Sequence, residues 1–210
     1  MSMTRASPAL RVCVALLLVP LTSRLTAQVT VGFQAGARYT SALVHDSIVA
    51  PFDVRPGLGP AVAVAVATSP ERPWATAVTL DFSTGQLVRR DADGSSSNLG
   101  RVSTLSLTVG VSRRLAAGFI VRAGVGGLKY LPSEDSGIFR LGSGSLAGLG
   151  ALTLGHVLPL RAGRHLSVEA RYDLHPFTTP ALRAEGFDSS RLVQRLALTL
   201  RTDWGGRAGR

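Results

Sequence analysis

Residues 191–204 read Arg-Leu-Val-Gln-Arg-Leu-Ala-Leu-Thr-Leu-Arg-Thr-Asp-Trp. In an extended chain, successive side chains alternate between two faces. Leu192, Gln194, Leu196, Leu198, Leu200, Thr202 and Trp204 share one face, and Val193, Arg195, Ala197, Thr199, Arg201 and Asp203 share the other. The alternation runs for about a dozen residues, roughly twice the length of an ordinary soluble strand. One face is apolar, the other is charged and small, and an aromatic closes the run. A tilted strand that crosses a bilayer needs roughly 9–11 residues with this pattern.

The N-terminus indicates where such a strand would be delivered. Residues 1–27 have the layout of a secretory signal peptide: Arg5 and Arg11 supply positive charge, residues 12–21 (VCVALLLVPL) form an apolar run, and small residues follow. The run is too short to cross a bilayer as a helix. Cleavage is expected after Ala27, leaving Gln28 first, although Leu25 stands where a small residue is preferred. No twin arginine precedes the run and no lipobox precedes Cys13, so the general secretory route is expected and a lipoprotein is not. Processing would remove the single cysteine, leaving no disulfide and no Cys-based metal site. It would also remove Arg5, Arg11 and Arg24, taking the formal charge from +10 to +7. That excess is not a nucleic-acid footprint. Basic residues never run longer than two, at Arg89–Arg90 and Arg113–Arg114, and no helix gathers them.

Eight segments read as strands, at 28–39, 58–68, 74–84, 101–112, 118–129, 144–157, 165–175 and 191–204. An even number lets both ends of the chain lie on the same side of a membrane. The connections at 40–57, 85–100, 130–143 and 176–190 are long, whereas those at 69–73, 113–117 and 158–164 are short. Long and short alternate, as external loops and periplasmic turns do in outer-membrane barrels.

The faces agree from strand to strand. Val29, Val31, Phe33, Ala35, Ala37 and Tyr39 oppose Thr30, Gly32, Gln34, Gly36 and Arg38; Leu105, Leu107, Val109 and Val111 oppose Thr104, Ser106, Thr108 and Gly110. The second and sixth segments, rich in Ala and Gly, are ambiguous by hydropathy. A soluble lipocalin-type barrel would alternate too, with its apolar face inside. Two features favour the opposite sense. The polar face is mostly Gly, Ala, Ser and Thr with a few charges, which suits a narrow lumen and would make a poor water-facing surface. The aromatics also sit near strand ends on the apolar face: Trp74, Phe119 and Trp204 at the periplasmic end, and Tyr39, Phe82 and Tyr172 at the outer end. Two such rings would be the girdles of a membrane barrel.

With these strands in place, residues 28–204 resemble the small eight-stranded outer-membrane barrels of the OmpA/OmpX type. The resemblance rests on architecture, and it implies an all-β, eight-stranded antiparallel up-and-down transmembrane barrel. The pattern Leu196-x-Leu198-x-Leu200-x-Thr202-x-Trp204 also resembles the C-terminal signal read by the barrel-assembly machinery. It departs from that signal in one respect: a short tail, residues 205–210, follows the aromatic.

The chemistry-bearing residues point mainly to a mechanical role. Arg38, Asp81, Arg122, Glu169, Arg171, Asp173, Arg195 and Arg201 are expected to share the lumen as a charge network, with Glu169 as its hub and Arg171 as its same-face neighbour. Paired, they would brace the barrel; unpaired, each would be costly. The enzymatic alternative rests on His165-Leu166-Ser167 with Glu169, which is similar to the His-x-Ser pair and Glu of outer-membrane lipid A deacylases. Val168 replaces the asparagine expected after the serine, the pair falls at the periplasmic end, and the face points away from lipid. No catalytic residue is therefore assigned. His45, His156 and His175 stand apart in sequence, so no metal is expected, and the glycine-rich stretches at 142–144 and 148–150 open no helix and precede no lysine, so no cofactor is expected. The expected partners are outer-membrane lipid and lipopolysaccharide, the assembly machinery during biogenesis, and whatever the four external loops meet. Asp46, Asp53, Arg89, Arg90, Asp91, Asp93, Glu134, Asp135, Arg140, Arg183, Glu185 and Asp188 make those loops mixed in charge, as solvated loops are.

Overall fold

The computed structural model describes residues 29–46, 51–68, 74–144, 146–159, 165–186 and 190–205. The signal-peptide segment 1–27, the turn at 69–73, most of the turn at 158–164 and the tail beyond 205 lie outside the described residues. Ten strands follow one another: β1 (Val29–Thr40), β2 (Val44–Asp46), β3 (Phe52–Pro56), β4 (Gly59–Thr68), β5 (Trp74–Asp91), β6 (Ser96–Arg114), β7 (Phe119–Pro132), β8 (Ala147–Pro159), β9 (His165–Phe177) and β10 (Arg191–Gly205). Eight of them form a ring in the order β5-β4-β1-β10-β9-β8-β7-β6, and β5 pairs with β6 to close it. Every pairing in the ring is antiparallel. The first and last strands meet at Thr30↔Gly205 through Thr40↔Arg195, so the ring has no free edge.

The alternation reads as it does because the lumen of eight strands is narrow. Small side chains let the wall close, and bulky apolar ones are turned outward. In β4 hydropathy could not separate Ala from Val, but size does: Ala61, Ala63 and Ala65 are buried inside, and Val62, Val64 and Val66 are exposed outside. In β8, Leu149 and Thr153 point in while Leu152 and Leu154 point out. Every ring strand contributes to the outer wall. Val31, Val64, Leu80, Leu107, Val125, Leu152, Tyr172 and Leu198, one from each, are between 39% and 71% exposed.

Two of the four long connections differ from expectation. Residues 85–100 are for the most part strand. β5 and β6 run to 18 and 19 residues, past any bilayer thickness, and zip into a protruding hairpin. Its tip is a tight turn in which Gly94, at φ 84°, donates to the Asp91 carbonyl at 3.0 Å. The charges that made this stretch read as a loop are compatible with a hairpin standing in water. Within 40–57, β2 and β3 form a second hairpin, and β3 pairs with β5 from Phe52↔Asp91 to Pro56↔Leu87. Thus β3 replaces β4 as the neighbour of β5 above the ring. At the change-over the backbones nearly touch: a Cβ on Gly59 would lie 1.8 Å from the Thr84 carbonyl oxygen, which only glycine tolerates.

The long-loop end is not an open mouth. Leu43 and Val54 from the β2–β3 hairpin, Phe139 from the 3₁₀ turn Gly137–Phe139, and Leu182 from a short helix α1 (Pro180–Ala184) pack onto Leu87, Val102, Leu128, Tyr130, Leu149, Phe177 and Val193 of the inner wall. Tyr130 and Phe177 meet edge to face at 5.1 Å between centroids, with Phe139 at 6.1 Å from each. These loops are therefore not simply solvated. Their charges stay outside while their apolar residues cap the lumen. Thr179 joins two parts of the cap: its hydroxyl donates to the Ile138 carbonyl at 2.6 Å and accepts the Leu182 N–H at 3.3 Å, as an N-cap does. Thr179→Ala is expected to lower stability by roughly 1 kcal/mol, the usual value for an N-cap. The loss should appear as faster amide exchange at residues 181–184, with strand exchange unchanged.

Candidate functional site

Below the apolar cap the lumen is crossed by charge. Arg38 on β1 faces Asp81 across β4 and binds it with both guanidinium Nη atoms, the Nη2–Oδ2 bond being 2.8 Å. Arg195 on β10 donates to the Thr104 hydroxyl at 2.9 Å and the Ser83 hydroxyl at 3.3 Å, and its charge lies 3.7 Å from Asp81. Asp173 on β9 lies 3.8 Å from both Arg38 and Arg195. Asp81 and Asp173 thus share two arginines, and the Ser83–Thr104 hydroxyl pair at 2.8 Å ties β5 to β6 beside them.

A second group lies nearer the short turns. Glu169 on β9 accepts from Gln34 Nε2 at 3.2 Å and Arg122 Nη1 at 3.3 Å, and Arg201 Nη1 is 3.7 Å away. Arg201 in turn donates from Nε to Asp203 at 2.7 Å. All of these side chains point inward because they occupy alternate positions on β1, β5, β6, β7, β9 and β10. Arg171 differs from the sequence expectation. Its Nε donates at 2.7 Å to Asp173, two residues on, and not to Glu169 two residues back. The network therefore has several centres, at Asp81, Asp173 and Glu169, and Glu169 joins Gln34, Arg122 and Arg201.

Of the residues that suggested catalysis, Glu169 has other partners. Ser167 and Glu169 are buried in the lumen, and Glu169 is committed to Gln34 and two arginines. The side chain of His165 lies outside the described residues. The remaining histidines are apart from one another: His45 bonds Asp53 on the β2–β3 hairpin, His156 stacks on Phe119, and His175 bonds the Tyr130 hydroxyl at 3.0 Å under the cap. Among the described residues no three His, Cys, Asp or Glu side chains converge as metal ligands would.

Outside, Tyr39, Phe82 and Tyr172 on one side and Trp74, Phe119 and Trp204 on the other are all exposed on the apolar wall. Trp74 is the first residue of β5 and Phe119 the first of β7, while Trp204 pairs with Val31 near the start of β1, so these three lie at the short-turn end. The Arg113 guanidinium sits over the Trp74 ring at 5.1 Å. Beyond the wall, at the tip of the β5–β6 hairpin, Asp93 accepts the Ser95 N–H at 2.8 Å. Bonding from the Ser95 side chain and N–H holds its carboxyl below the usual carboxylate range.

No protein-family profile matches the sequence, and no curated protein matches it. Solved structures do. Neisserial surface protein A is similar over 83% of this chain and 95% of its own, with a TM-score of 0.54 at 10% identity. The fold is that of a small outer-membrane β-barrel. The outer-membrane protein AlkL, solved in lipid bilayers, aligns over the whole of both chains at 13% identity and a TM-score of 0.49. OprG from Pseudomonas aeruginosa aligns over 86% of this chain and 98% of its own, at 10% identity and 0.48.

Proposed function

We propose that this chain is an integral outer-membrane protein of the OmpA/OmpX architectural type, exported with a signal peptide cleaved after Ala27. In this reading it is a closed barrel whose role is structural or interactive. The observation that carries it is the inverted placement of polarity: arginines and carboxylates inside, and a continuous apolar wall outside. A water-soluble barrel reverses this, because leaving so much apolar surface in water is unfavourable. In a bilayer the same wall faces acyl chains, and the closed ring of antiparallel pairings presents no free strand edge to them.

The lumen supports a plug in preference to a pore. Ion pairs cross it at two levels, and the apolar cap closes its long-loop end. The parts left to meet partners are the β5–β6 hairpin, the β2–β3 hairpin and the loops at 133–146 and 178–190. In the membrane these would stand among lipopolysaccharide headgroups, and assembly would use the barrel-assembly machinery through the residue 196–204 pattern. Glu169, the acid of the hydrolase alternative, is held by Gln34 and two arginines, which favours the structural reading.

Fractionation tests the reading. The protein is expected in the outer-membrane fraction, beginning at Gln28 by mass spectrometry, and migrating differently on a gel before and after boiling. In planar bilayers it should give little steady conductance. Recovery in the soluble periplasm would remove the membrane reading, and large stable single-channel currents would replace the plug with a pore.

A further inference from the structure

The buried lumen does not balance its own charge. Among the described residues it holds five arginines, Arg38, Arg122, Arg171, Arg195 and Arg201, against Asp81, Glu169 and Asp173. Even with Asp203 at the rim counted, one positive charge is left over. An unbalanced charge enclosed by a membrane-embedded wall is unfavourable, and a buried guanidinium N–H without an acceptor adds to the cost.

Two of the five arginines share one space. Arg122, Thr153 and Arg171 stand side by side on β7, β8 and β9, through the register pairs Arg122↔Thr153 and Thr153↔Arg171. The two arginines therefore flank one threonine, with like charges facing a common space. That space is a cavity of about 10 Å³ lined by Arg122, Arg171, Thr79, Thr108 and Thr153, with small residues completing the wall and no carboxylate among the lining. Each arginine gives part of its fork to an acid elsewhere: Arg122 to Glu169 and Arg171 to Asp173. Arg122 Nε and Arg171 Nη2 are left buried with no hydrogen-bond partner, and the Arg171 side chain is only 8% exposed.

We propose that this cavity is a binding site for one small monovalent inorganic anion, of the halide class, which neutralises the surplus arginine charge. The donors have the right chemistry: two guanidinium groups and up to three hydroxyls, all able to donate and none carrying negative charge. The volume sets the class. A space of about 10 Å³ favours a single monatomic ion over the larger phosphate, sulfate and organic acids. The anion would clamp β5 and β6 to β7, β8 and β9.

Chloride, bromide and gluconate at constant ionic strength test this on the full-length refolded protein in detergent. Gluconate is too large to enter. The unfolding midpoint is expected to rise with the logarithm of chloride or bromide concentration, as for a ligand that binds only the folded state. It should stay flat in gluconate. Crystals grown in bromide should show anomalous density between Arg122, Thr153 and Arg171. Thr153→Asp places a carboxylate in the cavity. This variant should lose the halide dependence and be as heat-resistant in gluconate as the wild type is in chloride. Equal midpoints of the wild type in halide and in gluconate would overturn the proposal, as would a cavity whose density is that of water alone. These readouts concern the wild-type protein, so they decide the matter even if the variant does not fold. An open pore, by contrast, would show only in the bilayer recordings.

Discussion

Asp81→Asn is expected to destabilise the barrel by about 3–5 kcal/mol, the range for breaking a buried ion pair from one side. Asp81 is the acid on which the upper network depends. Arg38 grips both its oxygens, and Arg195 lies 3.7 Å away. The side chains of Arg38 and Arg195 are 3% and 0% exposed, so neither can turn to water when the carboxylate is lost. Asparagine keeps the shape and removes the charge, leaving Asp173 at 3.8 Å to serve both arginines. Glu169→Gln should cost less, because Arg201 retains its 2.7 Å bond to Asp203. Unfolding in denaturant, followed by the gel shift, measures both, and both variants should still reach the membrane fraction. If Asp81→Asn proved as stable as the wild type, water and not Asp81 would be satisfying the arginines, and the lumen would have to be wet.

That contrast between two acids shows what one-dimensional reading can and cannot reach. Which residues enter the lumen follows from period-two alternation, so Arg38, Asp81 and Arg195 are placed on the inner face by parity alone. Which acid meets which arginine depends on where strands far apart in sequence come level across the ring. Arg38 and Asp81 are separated by the whole of β4, and the shear of the barrel sets their heights. Arg171 could pair up or down its own strand with equal spacing. Its choice of Asp173 follows from Arg122 and Arg201 already occupying the space around Glu169, which no spacing rule reveals.

The loops show the opposite failure. Their charged residues are legible in the sequence and their apolar ones are not, because charge and turn formers mark a loop as solvated throughout. Leu43, Val54, Phe139 and Leu182 were the available signal: four bulky apolar residues, each in a segment otherwise rich in charge and turn formers. An exposed position for all four would have been unfavourable, and the one nearby apolar-compatible space is the top of the barrel. The β5–β6 extension was hidden for a different reason. Arg89 and Arg90 suppress a membrane-strand reading, yet a hairpin above the bilayer has no need of an apolar face. Arg89 there covers the Phe52 ring at 4.5 Å, a contact between two connections that sequence order keeps apart.

Leu198→Arg is expected to cost about 2–4 kcal/mol in a bilayer, the range for a basic residue on the lipid face near mid-membrane. Leu198 lies near the middle of β10, opposite Ala37 on one side and Ala170 on the other, and is 61% exposed on the outer wall. Its neighbours are small, so the arginine meets no steric barrier, and the cost comes from placing a guanidinium against acyl chains. Thr199→Arg, one residue along, probes the other face. Thr199 is buried, and its hydroxyl lies 3.5 Å from the Glu169 carbonyl. A sixth arginine there would crowd the lumen and deepen its positive excess. The two variants separate by environment: in detergent, where headgroups and water can reach the wall, the Leu198→Arg defect should shrink, whereas the Thr199→Arg defect should persist. Equal stability of Leu198→Arg and the wild type in lipid vesicles would mean that this wall does not face hydrocarbon, and the outward apolar residues would then have to be covered by protein.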